Sequence, residues 1–390
     1  MRQIAYPAAL GGCVLGAGAS PACAAEWSIT PNYSASVDYE SNRRLTVDHK
    51  SSDASVLAVD LRFKRALEDM DFTIEPRYAF RRFTDPSLGN GDDRLVDAGF
   101  NWAGERSTVN LAASYWDQST LTTEFLETAV VSTDTHRRQE KANAAWNWNQ
   151  TERRTLVSQV SYTDVSYYGR GAQAFPGFRY STGLLGEQLS YSERGNFTVS
   201  AYGSTFSSST PGNSSHSVGL QAQVIHSFSE RTNIDASIGE STRVLNGKNG
   251  QGTDATLTVN HALFLGKVSL GYTRSLVPYG SGFLVQQQQF TATLARPLTP
   301  YLDSSLAFFR VQNNQTAVLL RIDRPNYNSL AATLNWRPVE TWTIGARVEA
   351  VRTQIVSFVA QSGVPAAENV NAWRSAITVA WTPFPKSRSW

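Results

Sequence analysis

The chain has 390 residues, of which only 17% are charged and 11% aromatic, with ten tryptophans and a formal net charge of +2. So neutral a balance argues against a nucleic-acid or strongly anionic partner, and past the first two dozen residues no run of 18 apolar residues could make a transmembrane helix. The only cysteines, Cys13 and Cys23, lie near the N-terminus, leaving the rest without a disulfide framework, a thiol nucleophile or a Cys-ligated metal.

Residues 1–25 read as a secretory signal peptide. Arg2 precedes a small apolar stretch, and Ala22-Cys23-Ala24 supplies the cleavage pattern, with the cut after Ala24 or Ala25. Leu10-Gly11-Gly12-Cys13 resembles a lipoprotein box but comes too early to leave an apolar core before it. Residues 26–390 then form one domain. Its first strand, Trp27–Tyr39, starts close to the cut, so no plug domain precedes it, which argues against a TonB-dependent transporter.

From there the chain alternates. Leu57-Val59-Leu61-Phe63, Phe72-Ile74-Pro76-Tyr78-Phe80 and Phe197-Val199-Ala201 are apolar at every second residue, the period of a strand facing two media. A motif recurs between such runs: NWAGERSTVNLAASY at Asn101, NWNQTERRTLVSQVSY at Asn147, LSYSERGNFTVSAYG at Leu189, IHSFSERTNIDASIG at Ile225 and NWRPVETWTIGARVE at Asn335. Each copy has an aromatic, a polar corner and a new alternating run. Tight turns are expected near Glu68-Asp69, Glu105, Glu152, Glu193, Glu230, Gly266-Lys267, Thr299 and Glu340. Between them lie looser, Gly-, Ser-, Asn- and Pro-rich connections such as TDPSLGNGDD, FSSSTPGNSS, LNGKNGQGT and LVPYGSGF.

Short turns on one side and long loops on the other describe an all-β, closed antiparallel transmembrane β-barrel of about 18 strands, with 16 as the alternative count. A soluble sandwich would not keep its short turns on one side, and a propeller would place four strands in each repeat. Trp102, Trp148, Tyr191, Phe228 and Trp336 each precede a tight turn by two to four residues, where an aromatic girdle belongs. With a secreted N-terminus, both termini and the tight turns are periplasmic, and the loops near 41–54, 84–93, 117–139, 167–178, 312–326 and 353–371 are extracellular. The last strand, AWRSAITVAWTPFPKSRSW, resembles the C-terminal insertion signal of outer-membrane barrels, with either Phe384 or Trp390 as its terminal aromatic.

The phase opposite the apolar one must line the lumen. Near the closure it is charged, with Arg62, Lys64, Arg77, Arg81, Arg347 and Arg374 as a basic wall beside Asp60, Glu75 and Glu349. The far wall is almost uncharged and carries Gln159, Tyr202, Gln221, Gln223, Gln287 and Gln289. Amides and hydroxyls exchange hydrogen bonds with sugars, and arginines attract carboxylates. A water-facing wall must in any case be polar, and arginine beside glutamate also cross-braces strands. The dense segment DTHRRQEKAN places His136, Arg137, Arg138 and Lys141 at the level of lipopolysaccharide phosphates. No G-x-S-x-G, no H-E-x-x-H and no clustered metal ligands are present. His226 and His261 fall in the lipid-facing phase, and His216 lies in a serine-rich loop. No enzyme, cofactor or metal centre is expected.

The opening EWSITPNYSASVDYESNRRL and the aromatic–x–Ser-Glu-Arg corners resemble outer-membrane barrel proteins associated with exopolysaccharide export in Gram-negative bacteria. The resemblance implies a passive conduit through which a secreted polysaccharide crosses the outer membrane, with periplasmic export components as partners. The residues themselves leave two other functions open. One is a sugar- or anion-preferring diffusion porin for uptake of small hydrophilic solutes; the other is a structural or adhesive barrel.

Overall fold

The computed structural model describes residues 26–390 except 44, 46–49, 86–87, 122–134, 170–174, 246, 280–282, 315–325, 359–364, 385 and 390. The expected signal peptide, with Cys13 and Cys23, and Trp390 lie outside the described residues.

The strands in chain order are β1 (Glu26–Glu40), β2 (Ser52–Ala66), β3 (Met70–Phe83), β4 (Gly91–Ala103), β5 (Ser107–Ser119), β6 (His136–Asn149), β7 (Arg154–Tyr168), β8 (Phe178–Ser192) and β9 (Gly195–Ser208). They continue as β10 (Ser214–Ser229), β11 (Thr232–Leu245), β12 (Lys248–Leu263), β13 (Gly266–Tyr279), β14 (Phe283–Thr299), β15 (Leu302–Asn314), β16 (Asn326–Val339), β17 (Trp342–Phe358), β18 (Pro365–Trp381) and β19 (Lys386–Ser389). From β1 to β18 each strand pairs antiparallel with the next. β1 also pairs with β18 along Tyr33–Glu40 and with β19 along Glu26–Ile29, which closes the ring. The barrel thus has eighteen full strands, and β19 resumes the last of them after a short break. Closure leaves no unpaired sheet edge where lipid could not satisfy it.

Two expected turns are displaced. The corners fall at Phe264-Leu265 and Pro300-Tyr301, beside the expected Gly266-Lys267 and Thr299. On the opposite rim, β12 runs straight through most of LNGKNGQGT, and β11 joins β12 through only residues 246–247. Gly247 adopts φ of 76°, the left-handed geometry that a two-residue hairpin connection favours. LVPYGSGF is likewise largely strand, with only residues 280–282 between β13 and β14. That rim is therefore built of both long and short connections.

Side chains alternate across the wall, as the pleat requires. The outward phase carries large exposed apolar groups, among them Val37, Leu57, Val160, Leu185, Leu220, Ile238 and Ile377, which in a membrane barrel meet hydrocarbon. Near the tight-turn rim the aromatics form contacts. Tyr33 stacks on Trp381 (centroids 5.5 Å apart), Trp381 on Trp342 (6.2 Å), and Trp146 on Trp148 (6.3 Å). Tyr191 bonds His226 Nδ1 through its hydroxyl (2.9 Å), and its ring lies over Gly195, where any Cβ would collide with it. Trp102, Phe228 and Trp336 also occupy the outward phase near this rim. The five aromatics singled out from sequence are thus part of a larger band.

The dry interior lies at the long-loop rim. One cluster joins Ala54, Phe83, Val311, Tyr327, Val351, Val370 and Ala372, inward-facing on β2–β3 and β15–β18, with Leu45, Leu88 and Leu121 from the connections. A second, on the other side of the mouth, joins Val165, Phe178 and Phe206 with Leu276 and Leu284. Both narrow the bore from within.

Candidate functional site: the lumen

The register across the closure makes β17, β18, β1, β2, β3 and β4 one continuous wall. All six residues of the expected basic wall occupy its inward phase, and five of them are ion-paired. Starting from the tight-turn rim, Arg62 Nε meets Glu75 at 2.8 Å and Arg77 Nε meets Asp60 at 3.2 Å. Arg347 meets Glu349 at 3.1 Å. Higher up, Arg81 lies 3.6 Å from Asp93, and Glu40 accepts Arg374 Nε at 2.6 Å with Arg43 at 3.4 Å. Lys64 has no ion-pair partner among the described residues.

The pairs are drier toward the long-loop rim than near the tight turns. Side-chain exposure is 59% and 45% for Arg62–Glu75, 47% and 30% for Arg77–Asp60, and 15% and 8% for Arg81–Asp93. At the top, Arg43 and Glu40 retain 9% and 7%. Burial pushes the Arg43 guanidinium below its usual pKa, opposed by the charge of Glu40. Phe83 of the apolar cluster lies beneath that guanidinium, its ring centroid 4.6 Å from Cζ. Arg81 Nε and Nη1 and Arg43 Nε are buried donors with no hydrogen-bond acceptor among the described residues. The ladder therefore runs from a wet, screened end to a dry end capped by apolar side chains, and each ion pair gains strength as water is removed.

The far wall is less neutral than the sequence suggests. Arg243, only 3% exposed, donates to Asp254 Oδ1 (2.8 Å), Gln286 Oε1 (2.8 Å) and Ser241 Oγ (2.9 Å). Its guanidinium fills the space that a side chain at Gly252 would need. Tyr202 donates to the same Asp254 at 2.8 Å, Gln223 donates to Asp235 at 2.8 Å, and Gln287 donates to Asn313 at 3.1 Å. Gln159, Gln221 and Gln289 share the inward phase. Arg137 and Lys141 face inward too, the latter over the ring of Trp116 (4.9 Å), whose Nε1 donates to Asp97 at 3.0 Å. Sequence reasoning missed Arg243, Asp254 and the Trp116–Asp97 pair. Their signal was the strand phase, which for Arg243 and Asp254 was hidden because the top of β12 reads as loop.

The basic segment at His136 is divided by the pleat. Arg137 and Lys141 line the lumen, while His136 and Arg138 face outward at the long-loop rim. Arg138 lies over Tyr115 and Tyr168 (5.8 and 5.3 Å), His136 stacks on Tyr168 (5.2 Å), and Tyr168 donates to Asp117 at 2.6 Å. Two outward ion pairs, Arg94–Asp92 and Arg179–Asp164, extend this band.

No family model and no curated protein matches the chain. Among solved structures it is similar to OpdQ of Pseudomonas aeruginosa, at 10% identity over 92% of this chain and 99% of that one, with a TM-score of 0.49. It is similar to OccAB3 of Acinetobacter baumannii at 9% identity, 92% and 99% coverage and a TM-score of 0.49. OccK5 (OpdH) of Pseudomonas aeruginosa follows at 7% identity, 92% and 98% coverage and a TM-score of 0.48.

Proposed function

We propose that this chain is an outer-membrane diffusion porin for the uptake of small hydrophilic solutes, with a preference for those bearing a carboxylate or another anionic group. The tight-turn rim and both termini are placed in the periplasm, and the long-loop rim outside. The observation carrying this reading is the graded ladder. A solute descending from outside passes first the most buried ion pairs, around Arg43 and Arg81, and then pairs that water screens progressively. Strong contact at the narrow end and weak contact at the wide end suit capture followed by release. Hydroxyl and amide groups on the far wall supply exchangeable partners for the rest of the solute. Catalysis plays no part in this reading.

Export of an exopolysaccharide rests on the sequence resemblance alone. A polymer needs a bore that stays wide along its whole length, and the apolar clusters occupy that space at one end. The outward band around Arg138 and Tyr168 supports contact with lipopolysaccharide headgroups.

The test is planar-bilayer conductance of the purified barrel, with reversal potentials in asymmetric salt and swelling of liposomes in neutral and carboxylated sugars. Anion-selective conductance and faster entry of the carboxylated sugar are expected. A barrel that never conducts, or that prefers cations, would overturn the proposal. Deleting the gene should leave surface polysaccharide unchanged; its loss would restore the export reading.

A further inference from the structure

On its outer face the long-loop rim has two unlike arcs. Over β4–β8 each outward arginine has a partner. Arg94 pairs with Asp92 at 2.6 Å, Arg179 with Asp164 at 2.9 Å, and Arg138 lies over the rings of Tyr115 and Tyr168. That arc largely neutralises itself. Across β13–β18 the outward phase near the same rim holds Arg274, Arg310 and Arg352 and, among the described residues, no aspartate or glutamate. Arg310 and Arg352 are exposed, and neither guanidinium has an ion pair or hydrogen bond among the described residues. Arg274 stands where the β12–β13 ladder ends, and its Nε is a buried donor without an acceptor among the same residues. Register fixes the layout. Arg310 pairs with Asn328 and Asn328 with Arg352, so the two arginines share one row, two strand spacings or about 10 Å apart. Asn371 extends the row, and Gln312 and Gln288 link it to Arg274. The next outward row toward the tight turns is Phe308, Leu330, Ala350 and Trp373, of which Leu330 and Trp373 are exposed. The basic row therefore sits directly above a lipid-facing apolar surface.

We propose that this patch is a binding site for the phosphorylated glycolipid of the outer leaflet, lipopolysaccharide. A guanidinium at the edge of hydrocarbon is tolerated best beside an anion, and no protein carboxylate of this arc supplies one. Phosphate oxygens match the fork of an arginine, and two forks about 10 Å apart suit a headgroup with two phosphates better than a singly charged phospholipid. The amides between the arginines can exchange hydrogen bonds with the sugar that joins those phosphates. Phe308, Leu330 and Trp373 then flank the acyl chains. The self-paired arc at Arg94 and Arg179 offers a lipid headgroup no such uncompensated charge. The site rests on the placement of the long-loop rim outside the cell and does not depend on whether the barrel conducts.

The test is native mass spectrometry of the purified barrel in detergent micelles. It is titrated separately with bis-phosphorylated lipid A, with the dephosphorylated form and with phosphatidylglycerol. The bis-phosphorylated form should bind most tightly. Its affinity should fall about thirtyfold in Arg310→Gln/Arg352→Gln, the combined worth of two basic side chains at an anionic membrane surface. Arg310→Lys/Arg352→Lys, which keeps the charge and loses the fork, should recover part of it. Arg94→Gln/Arg179→Gln, from the self-paired arc, should lose little. Heat-modified gel mobility checks that each variant is folded. Equal binding of the dephosphorylated form, or equal losses from the two glutamine variants, overturns the site. Stronger binding of phosphatidylglycerol overturns it together with the orientation of the barrel. A dimer that dissociates in Arg310→Gln/Arg352→Gln also overturns it, by making the patch an interface between copies of this chain. A barrel that holds lipid A as expected but never conducts leaves the site standing and removes the porin reading alone.

Discussion

Removing Glu40 should be far more costly than removing Arg62, although both sit in ion pairs of the same wall. Glu40 accepts Arg374 Nε at 2.6 Å and lies 3.4 Å from Arg43, in a site where Glu40 and Arg43 are both over nine-tenths buried. Glu40→Ala leaves two guanidiniums in a dry environment. Breaking one side of a buried pair typically costs ~3–5 kcal/mol, because the surviving charge is uncompensated. Glu349 stands opposite Arg374 on β17 and offsets part of this, which points to the lower end, about 3 kcal/mol. Arg62 and Glu75 are roughly half exposed, and water screens such a pair to about 0–1 kcal/mol. Arg62→Ala should therefore barely register. The assay is equilibrium urea unfolding in lipid vesicles, followed by tryptophan fluorescence, with both variants beside the parent chain. Equal losses from the two variants would refute the idea that the ladder is graded by water.

Four further outcomes are expected. Replacing Arg62, Arg77, Arg81 and Arg347 together by glutamine should shift the reversal potential toward cations; unchanged selectivity would mean that these groups only brace strands. Val370→Ser, in the apolar cluster at the long-loop rim, should raise single-channel conductance by loosening the mouth and lower stability by about 1–3 kcal/mol, checked by bilayer recording and urea titration. Gly252→Val should displace the Arg243 guanidinium and cost about 2 kcal/mol or more through its broken hydrogen bonds, whereas Gly250→Val, with open space around it, should be nearly neutral in the same titration. Trp381→Ala removes stacking on both Tyr33 and Trp342, each worth ~0.5–1.5 kcal/mol beyond burial; a loss no larger than that of Trp373→Ala would deny the stack any role.

Much of the barrel was legible because its two media impose opposite demands on alternate residues. Leu57 and Val59 against Asp60 and Arg62 reveal a strand and its faces without help from tertiary structure. Corners marked by Glu-Arg were found in place, while the turn at Phe264-Leu265 was displaced because an apolar pair there continues the strand pattern by eye. The top of β12 was missed for the converse reason: Asn, Gly and Gln read as loop, yet above the lipid a strand needs no apolar phase. The apolar clusters were the least readable feature. Val351 and Val370 sit in the inward phase, against the rule that governs the strands lower down, and only the infolding of Leu45, Leu88 and Leu121 explains them. Likewise, nothing in LVPYGSGF announces that β13 loses its pairing with β12 above Arg274 and that Leu276 and Leu284 are buried there.

The seam where the ring closes sets the order of assembly. Glu40 and Arg374 are 334 residues apart along the chain, and Glu26–Ile29 pair on that side with nothing until Lys386–Ser389 arrive. Every other strand meets its neighbours through a local connection, so hairpins can form one after another. The seam cannot zip until the last turn of chain is in place, and loop closure over such a distance is slow. Until then β1 presents a bare edge along its whole length, which makes the final four-residue strand the last tooth of the zip and the point where a half-made barrel becomes a sealed one.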